Sequence, residues 1–141
     1  MTTVRWACED EFAVLQNIPA SSVLDATPVD GADIDLRAYP GARILVVCTV
    51  SDYSAHGITF SIQDAEAGIV DPTIPSVIGA AAYTALTTRV HGGLTKLSGT
   101  GQRIVSVLTH IDRPFLRVVA TGDSADTDLV AAATVILFQH P

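Results

Sequence analysis

The sequence predicts an all-β chain folded as an antiparallel β-sandwich of jelly-roll-like type. Three observations predict it. Several segments alternate apolar and polar side chains, β-branched residues crowd those segments, and Gly- or Pro-bearing turns separate them at fairly regular spacing. The chain has 141 residues, 48% of them hydrophobic and 16% charged. That length supports one domain with a real core. That composition excludes disorder, collagen and disulfide-scaffold classes.

Residues 1–20 are expected to form an N-terminal arm or edge segment, ahead of a sandwich domain over residues 21–141. Asp33-Ile34-Asp35-Leu36 is a short alternating piece, closed by the turn Tyr39-Pro40-Gly41. Arg43 to Val50 is apolar on both faces, which suits a central strand. After the turn Ala55-His56-Gly57, the run Ile58 to Gln63 alternates cleanly, with Ile58, Phe60 and Ile62 on one face. Ser76 to Leu86 is Ala-rich, so a short helix and a loop-plus-strand are both open there. Arg103 to Thr109, Phe115 to Thr121 and Leu129 to Phe138 supply three more strands. The polar stretch Gly122 to Asp126 reads as the loop of a hairpin joining the last two. The expected core is Val46, Phe60, Ile62, Val107, Val118 and Ile136.

Charge narrows the partners. Eight Lys+Arg against 15 Asp+Glu give a net charge of -7, which disfavours nucleic acid. Lys96 is the one lysine, so there is no polybasic patch for a membrane surface. No apolar run approaches the roughly 20 residues of a membrane helix. The N-terminus carries Glu9, Asp10 and Glu11 and has no signal-peptide core, so the chain is expected to be made in the cytoplasm.

Chemistry-bearing patterns are sparse. Cys8 and Cys48 lie far apart, and Cys48 sits inside an apolar strand, so it is expected in the core. His56, His91, His110 and His140 have no metal-ligand spacing. The aspartates at 30, 33 and 35, and those at 123, 126 and 128, fit turn chemistry better than a calcium loop. Asp64-Ala65-Glu66 reads as a solvated strand end. No nucleophile elbow or phosphate loop is present. No catalytic residue, cofactor or metal ligand is therefore assigned, and the protein is expected not to be an enzyme.

The candidate functional residues are interfacial. Arg113, Phe115 and Arg117 frame one strand entry in an Arg-poor chain, and Arg and aromatics are enriched in interface cores. Pairing of the two arginines with nearby acids is the plainer alternative. Trp6 and Phe12 mark the N-terminal segment, which is expected to reach a neighbouring subunit or a shell.

Two stretches carry a family resemblance. Asp35-Leu36-Arg37-Ala38-Tyr39 followed by Ala42 to Val47 resembles an "Asp-Leu-x-Gly-Tyr, then apolar strand" opening found in small structural proteins of tailed bacteriophages. Arg113 to Gly122, then Leu129 to Phe138, resembles the closing strand, loop and strand of that family. Ala38 replaces the motif's glycine, and residues 66–100 match poorly. The resemblance implies a non-enzymatic β-sandwich protein of the virion, made in the host cytoplasm and decorating or stabilising the major-capsid shell. Homo-oligomerisation is expected, as a trimer, because few charges are available to cover a monomer. A head–tail connector or tail component is the runner-up, and a carbohydrate-binding sandwich a more distant alternative.

Overall fold

The computed structural model describes residues 12–23, 25–69, 73–74, 78–86, 90–108 and 112–138. Twelve strands run through them: β1 (Phe12–Val23), β2 (Val29–Asp30), β3 (Ile34–Asp35), β4 (Arg43–Ala55), β5 (Ile58–Ala65), β6 (Ala67–Ile69), β7 (Ile78–Ala80), β8 (Thr84–Ala85), β9 (Val90–His91), β10 (Gly101–Val107), β11 (Phe115–Gly122) and β12 (Asp128–Phe138). A single 3-10 turn, Leu36–Ala38, follows β3 and is capped by the Asp35 carboxylate on the Arg37 amide.

The strands form two antiparallel sheets that pack face to face. The first has the order β1-β12-β4-β10-β9, and the second the order β2-β11-β5-β8, with β3 also on β11. A small ribbon, β6-β7, stands apart from both. Long strands that are consecutive in sequence lie in opposite sheets: β4 then β5, β10 then β11, β11 then β12. This alternation is the jelly-roll arrangement of two interleaved Greek keys.

Every long strand contributes alternate residues to the space between the sheets. Ile44, Val46, Cys48 and Val50 point inward from β4, and Leu129, Ala131, Ala133, Val135 and Leu137 from β12. Ile58, Phe60 and Ile62 on β5 meet them, together with Leu116, Val118 and Ala120 on β11. The Cys48 thiol sits there among apolar side chains, and burial pushes its pKa up to about 12. Replacing Phe60 with alanine is expected to cost about 3–5 kcal/mol in chemical denaturation, since the ring fills the middle of this layer. A cost under about 1 kcal/mol would place the ring elsewhere.

Several expectations are corrected. Ile136 is half-buried on the outer face of β12, and its neighbours Val135 and Leu137 hold the core positions. The segment Gly122 to Asp126 does not join a hairpin, because β11 and β12 belong to different sheets. It is an arch across the end of the sandwich. Within Ser76 to Leu86, the described residues 78–86 carry two short strands and no helix. β7 pairs with β6 and β8 with β5, so sheet partners override the local preference of alanine. Apart from these corrections, residues 12–20 of the expected arm or edge segment lie in β1, paired with β12 along its length at the edge of the first sheet. Residues 1–11 lie outside the described residues, and so does any Cys8–Cys48 pairing.

Candidate functional site: two contrasting sheet faces

The outer faces of the two sheets differ sharply. On the second sheet the outward residues of β11 are Phe115, Arg117 and Val119, set opposite Ala65, Gln63 and Ser61 of β5. The chain's own groups occupy this face. The Arg117 guanidinium lies 4.1 Å from the Tyr83 ring centroid, donates to Gln63 Oε1 at 2.9 Å and faces Asp30 at 3.4 Å. Tyr83 in turn donates its hydroxyl to Asp33 at 2.7 Å. Burial first, and then the bond to the Asp33 carboxylate, raise the Tyr83 pKa. Phe115 is buried, with the Arg37 guanidinium 5.0 Å above its ring. Arg37 is itself held by Asp35 through both guanidinium arms, which keeps the Asp35 carboxyl below its ordinary pKa.

Arg113 occupies one end of the sandwich. Its Nε donates to Asp64 Oδ1 at 2.7 Å, and its Nη2 donates to the Asp64 carbonyl at 2.8 Å and to Thr84 Oγ1 at 2.7 Å. Asp64 is 3% exposed, so it is a buried anion and not the solvated strand end read from sequence. It follows Phe60 and Ile62 in the inward phase of β5, where a carboxylate needs a cation beside it. Arg113, Phe115 and Arg117 thus lie within about one strand of each other, each with partners inside the chain. Trp6 lies outside the described residues. Phe12 opens β1 opposite Phe138.

The opposite end is closed by the Gly122 to Asp126 arch and by the turn at His56 and Gly57 that carries the chain from β4 to β5 in the other sheet. Gly57 donates its amide to Asp123 Oδ1 at 3.0 Å, and the Asp123 amide donates to the Gly57 carbonyl at 3.0 Å. Asp123 also binds Lys96. His56, at φ 62°, makes the tight turn beside it. The Lys96 bond, then the Gly57 bond, hold the Asp123 carboxyl below its ordinary value of 3.8. A carboxyl lowered on folding adds stability above its unfolded pKa, and loses it as the pH falls through the folded one. Asp123→Asn is therefore expected to melt below the parent at pH 7, with the gap closing as the pH drops below 3.8. A gap independent of pH would sink this assignment.

The outer face of the first sheet is different. Register places Val14, Ile136, Leu45 and Ser106 in one row across four strands. Gln16, Thr134, Val47 and Ile104 form the next, and Ala132, Thr49 and Gln102 the third. The first row runs on to His91 of β9, no Asp, Glu, Lys or Arg stands in the three rows, and Asp52, paired with Val130, lies in the row beyond them. Val14 is 58% exposed, Ile104 52% and the adjoining Leu108 58%. Arg43, opposite Phe138, stands at the rim. Large β-branched and aliphatic side chains on an open sheet face are costly in water unless something covers them. Sequence reasoning missed this face because β4 and β12 are apolar on both sides. The signal for it is that double-sided character, in strands that the sandwich can cover on one side only.

A cleft of about 450 Å³ lies between β1 and the 3-10 turn, lined in part by Gln16, Asn17, Asp33, Asp35 and Tyr39. Asp33, Asp35 and Asn17 already hold Tyr83, Arg37 and backbone groups. Among the described residues no cluster of His, Cys, Asp and Glu is placed to hold a metal ion, and no helix is long and apolar enough to cross a membrane. A scan against protein-family models finds no match, and no curated protein matches the chain.

Proposed function

We propose that this chain is a non-enzymatic structural protein of a tailed-phage virion, a capsid decoration or head-stabilising component that binds the assembled major-capsid shell as a homo-oligomer. The observation that carries this reading is the outer face of the first sheet, whose three central rows hold no Asp, Glu, Lys or Arg and leave Val14 and Ile104 exposed, the kind of surface an assembly buries. Two further points support it. The opening and closing segments resemble those of small phage structural proteins. By analogy of fold alone, jelly rolls recur in viral capsid proteins. The lectin-like alternative has less support, because Tyr83 stacks on Arg117 and Tyr39 and Tyr53 are dispersed.

Mixing purified protein with undecorated shells and counting bound copies tests the reading. Copies in multiples of the shell's symmetry sites are expected, with three-fold multiples for a trimer and two-fold multiples for a dimer. A shell presents many subunits at once, so binding to it should exceed binding to free capsid subunits. Attachment at one vertex or along a tail tube would replace decoration with a connector or tail role. No attachment to any virion part would overturn the proposal.

A further inference from the structure

We propose that the outer face of the first sheet is a self-recognition surface, on which a second copy of this chain stacks sheet on sheet about a two-fold axis. This rests on the reading above, that the face is buried in an assembly, and it names the partner. Three observations choose a second copy.

The first is chemistry. The central rows hold Leu45, Val47, Thr134 and Ile136, flanked by the more exposed Val14 and Ile104, with no charge among them. A charged partner surface would lose hydration against this face and gain nothing in return. The partner must be equally uncharged and apolar.

The second is symmetry. A head-to-tail contact needs a second, different apolar patch on the same molecule. The other broad face carries Arg117, Asp30, Gln63 and Tyr83 in a closed polar network, so it does not match. Elsewhere among the described residues the large exposed apolar side chains are Tyr53, Ile74 and Ile78, too few to cover this face, so the face that matches is the same face on another copy. The contact is therefore isologous, and the unit is a dimer where the sequence led us to expect a trimer.

The third is size. Four strands at about 4.8 Å spacing and eight residues at about 3.4 Å rise, the three rows together with the rim row of Phe138 and Arg43, span a face of roughly 19 by 27 Å. Side chains standing on such a face present more accessible area than its projection. A pair would bury on the order of 1,000–1,500 Å² in total, within the range of specific protein pairs. Twisted sheets stack in this way with their strands about 30° apart.

Sedimentation velocity of the full chain tests the pairing, alone and with Val47→Lys or Ile104→Lys. Both side chains stand on the outer face, so each variant should keep the parent's cooperative melting while placing an ammonium in the surface that pairing would bury. The parent is expected to sediment as a dimer, and both variants as folded monomers. Because each copy carries a net charge of -7 and the three central rows hold no Asp, Glu, Lys or Arg, added salt should tighten the dimer. A dimer weakened by salt, or one that survives both substitutions, would overturn the proposal. Should Val47→Lys misfold, Ile104→Lys at the sheet's margin decides alone. Shell binding by the same proteins separates the two claims. A monomeric parent that binds shells, and loses that binding in the variants, would sink self-pairing and leave the virion reading standing. A dimeric parent that binds no virion part would do the reverse.

Discussion

Arg113→Leu is expected to destabilise the fold by about 2–4 kcal/mol, read as a lower urea midpoint at unchanged slope. The substitution keeps the aliphatic stem and removes the guanidinium. Asp64 then loses the cation at 2.7 Å, and its own carbonyl and the Thr84 hydroxyl lose their donors as well. Breaking a buried pair costs more than the pair itself contributes, because the remaining charge stays in a poor solvent. The figure sits toward the lower end of the usual range because the Arg113 side chain is 23% exposed and water reaches part of the site. Arg113→Lys should recover only a fraction, since one ammonium nitrogen cannot stand at both the Nε and the Nη2 positions from which Arg113 reaches the carboxylate, the carbonyl and the hydroxyl. Adding Asp64→Asn to Arg113→Leu should restore part of the loss by removing a buried charge that has lost its guanidinium. If the single variant costs under about 0.5 kcal/mol, or if Asp64→Asn brings no recovery, the pair is not holding this end of the sandwich.

Period-2 alternation in the sequence placed β5, and β-branched runs placed β4, β10, β11 and β12, because those signals are local. Which face each strand presents was legible only where polar residues interrupt it. In Ile58 to Gln63 they do, and Phe60 and Ile62 are core. In Thr134 to Phe138 apolar residues stand on both sides, so Ile136 and Val135 could not be told apart by pattern. The connection after β11 failed for a related reason. A hairpin loop and an arch between sheets carry the same Gly, Asp and Ser chemistry, and only the long-range register separates them. By sequence Asp64 is an ordinary strand-end acid. Its burial depends on Arg113, 49 positions away, and no local rule couples the two.

The same limit applies to Asn17, whose replacement by leucine is expected to cost about 3–5 kcal/mol. The edge of β11 away from β5 is covered by two short pieces. β3 pairs with Phe115 and Leu116, and β2 with Val119 and Ala120. Between them the chain steps out over Gly31 to Asp33, and the backbone groups of Val118 face a gap. Gly31 donates its amide to the Val118 carbonyl at 2.7 Å. The Val118 amide donates to Asn17 Oδ1 at 2.7 Å, and Asn17 Nδ2 donates to the Ala32 carbonyl at 2.5 Å. A carboxamide has both an acceptor and a donor, so one side chain closes both open positions. β1 delivers it through the register shift between Gln16 and Ile18, and Asn17 ends 3% exposed. Gly31 is part of the same fit, since a Cβ there would lie 1.9 Å from Asn17 Oδ1. Leucine fills the volume and satisfies neither backbone group, and each buried group left open costs about 1–3 kcal/mol. Asn17→Asp supplies a second readout. Its carboxylate still accepts from Val118 but points an oxygen at the Ala32 carbonyl, so burial and repulsion should raise its folded pKa above the ordinary value. A group raised in this way adds stability below its unfolded pKa and loses it as the pH rises through the folded one. The Asp variant should therefore lie well below the parent at pH 7 and gain relative to it on acidification, as the neutral acid regains an O–H for Ala32. Urea denaturation at two pH values reads both effects. A leucine variant within about 1 kcal/mol of the parent, or an aspartate variant whose deficit does not shrink in acid, would show that Asn17 does not bridge the two sheets.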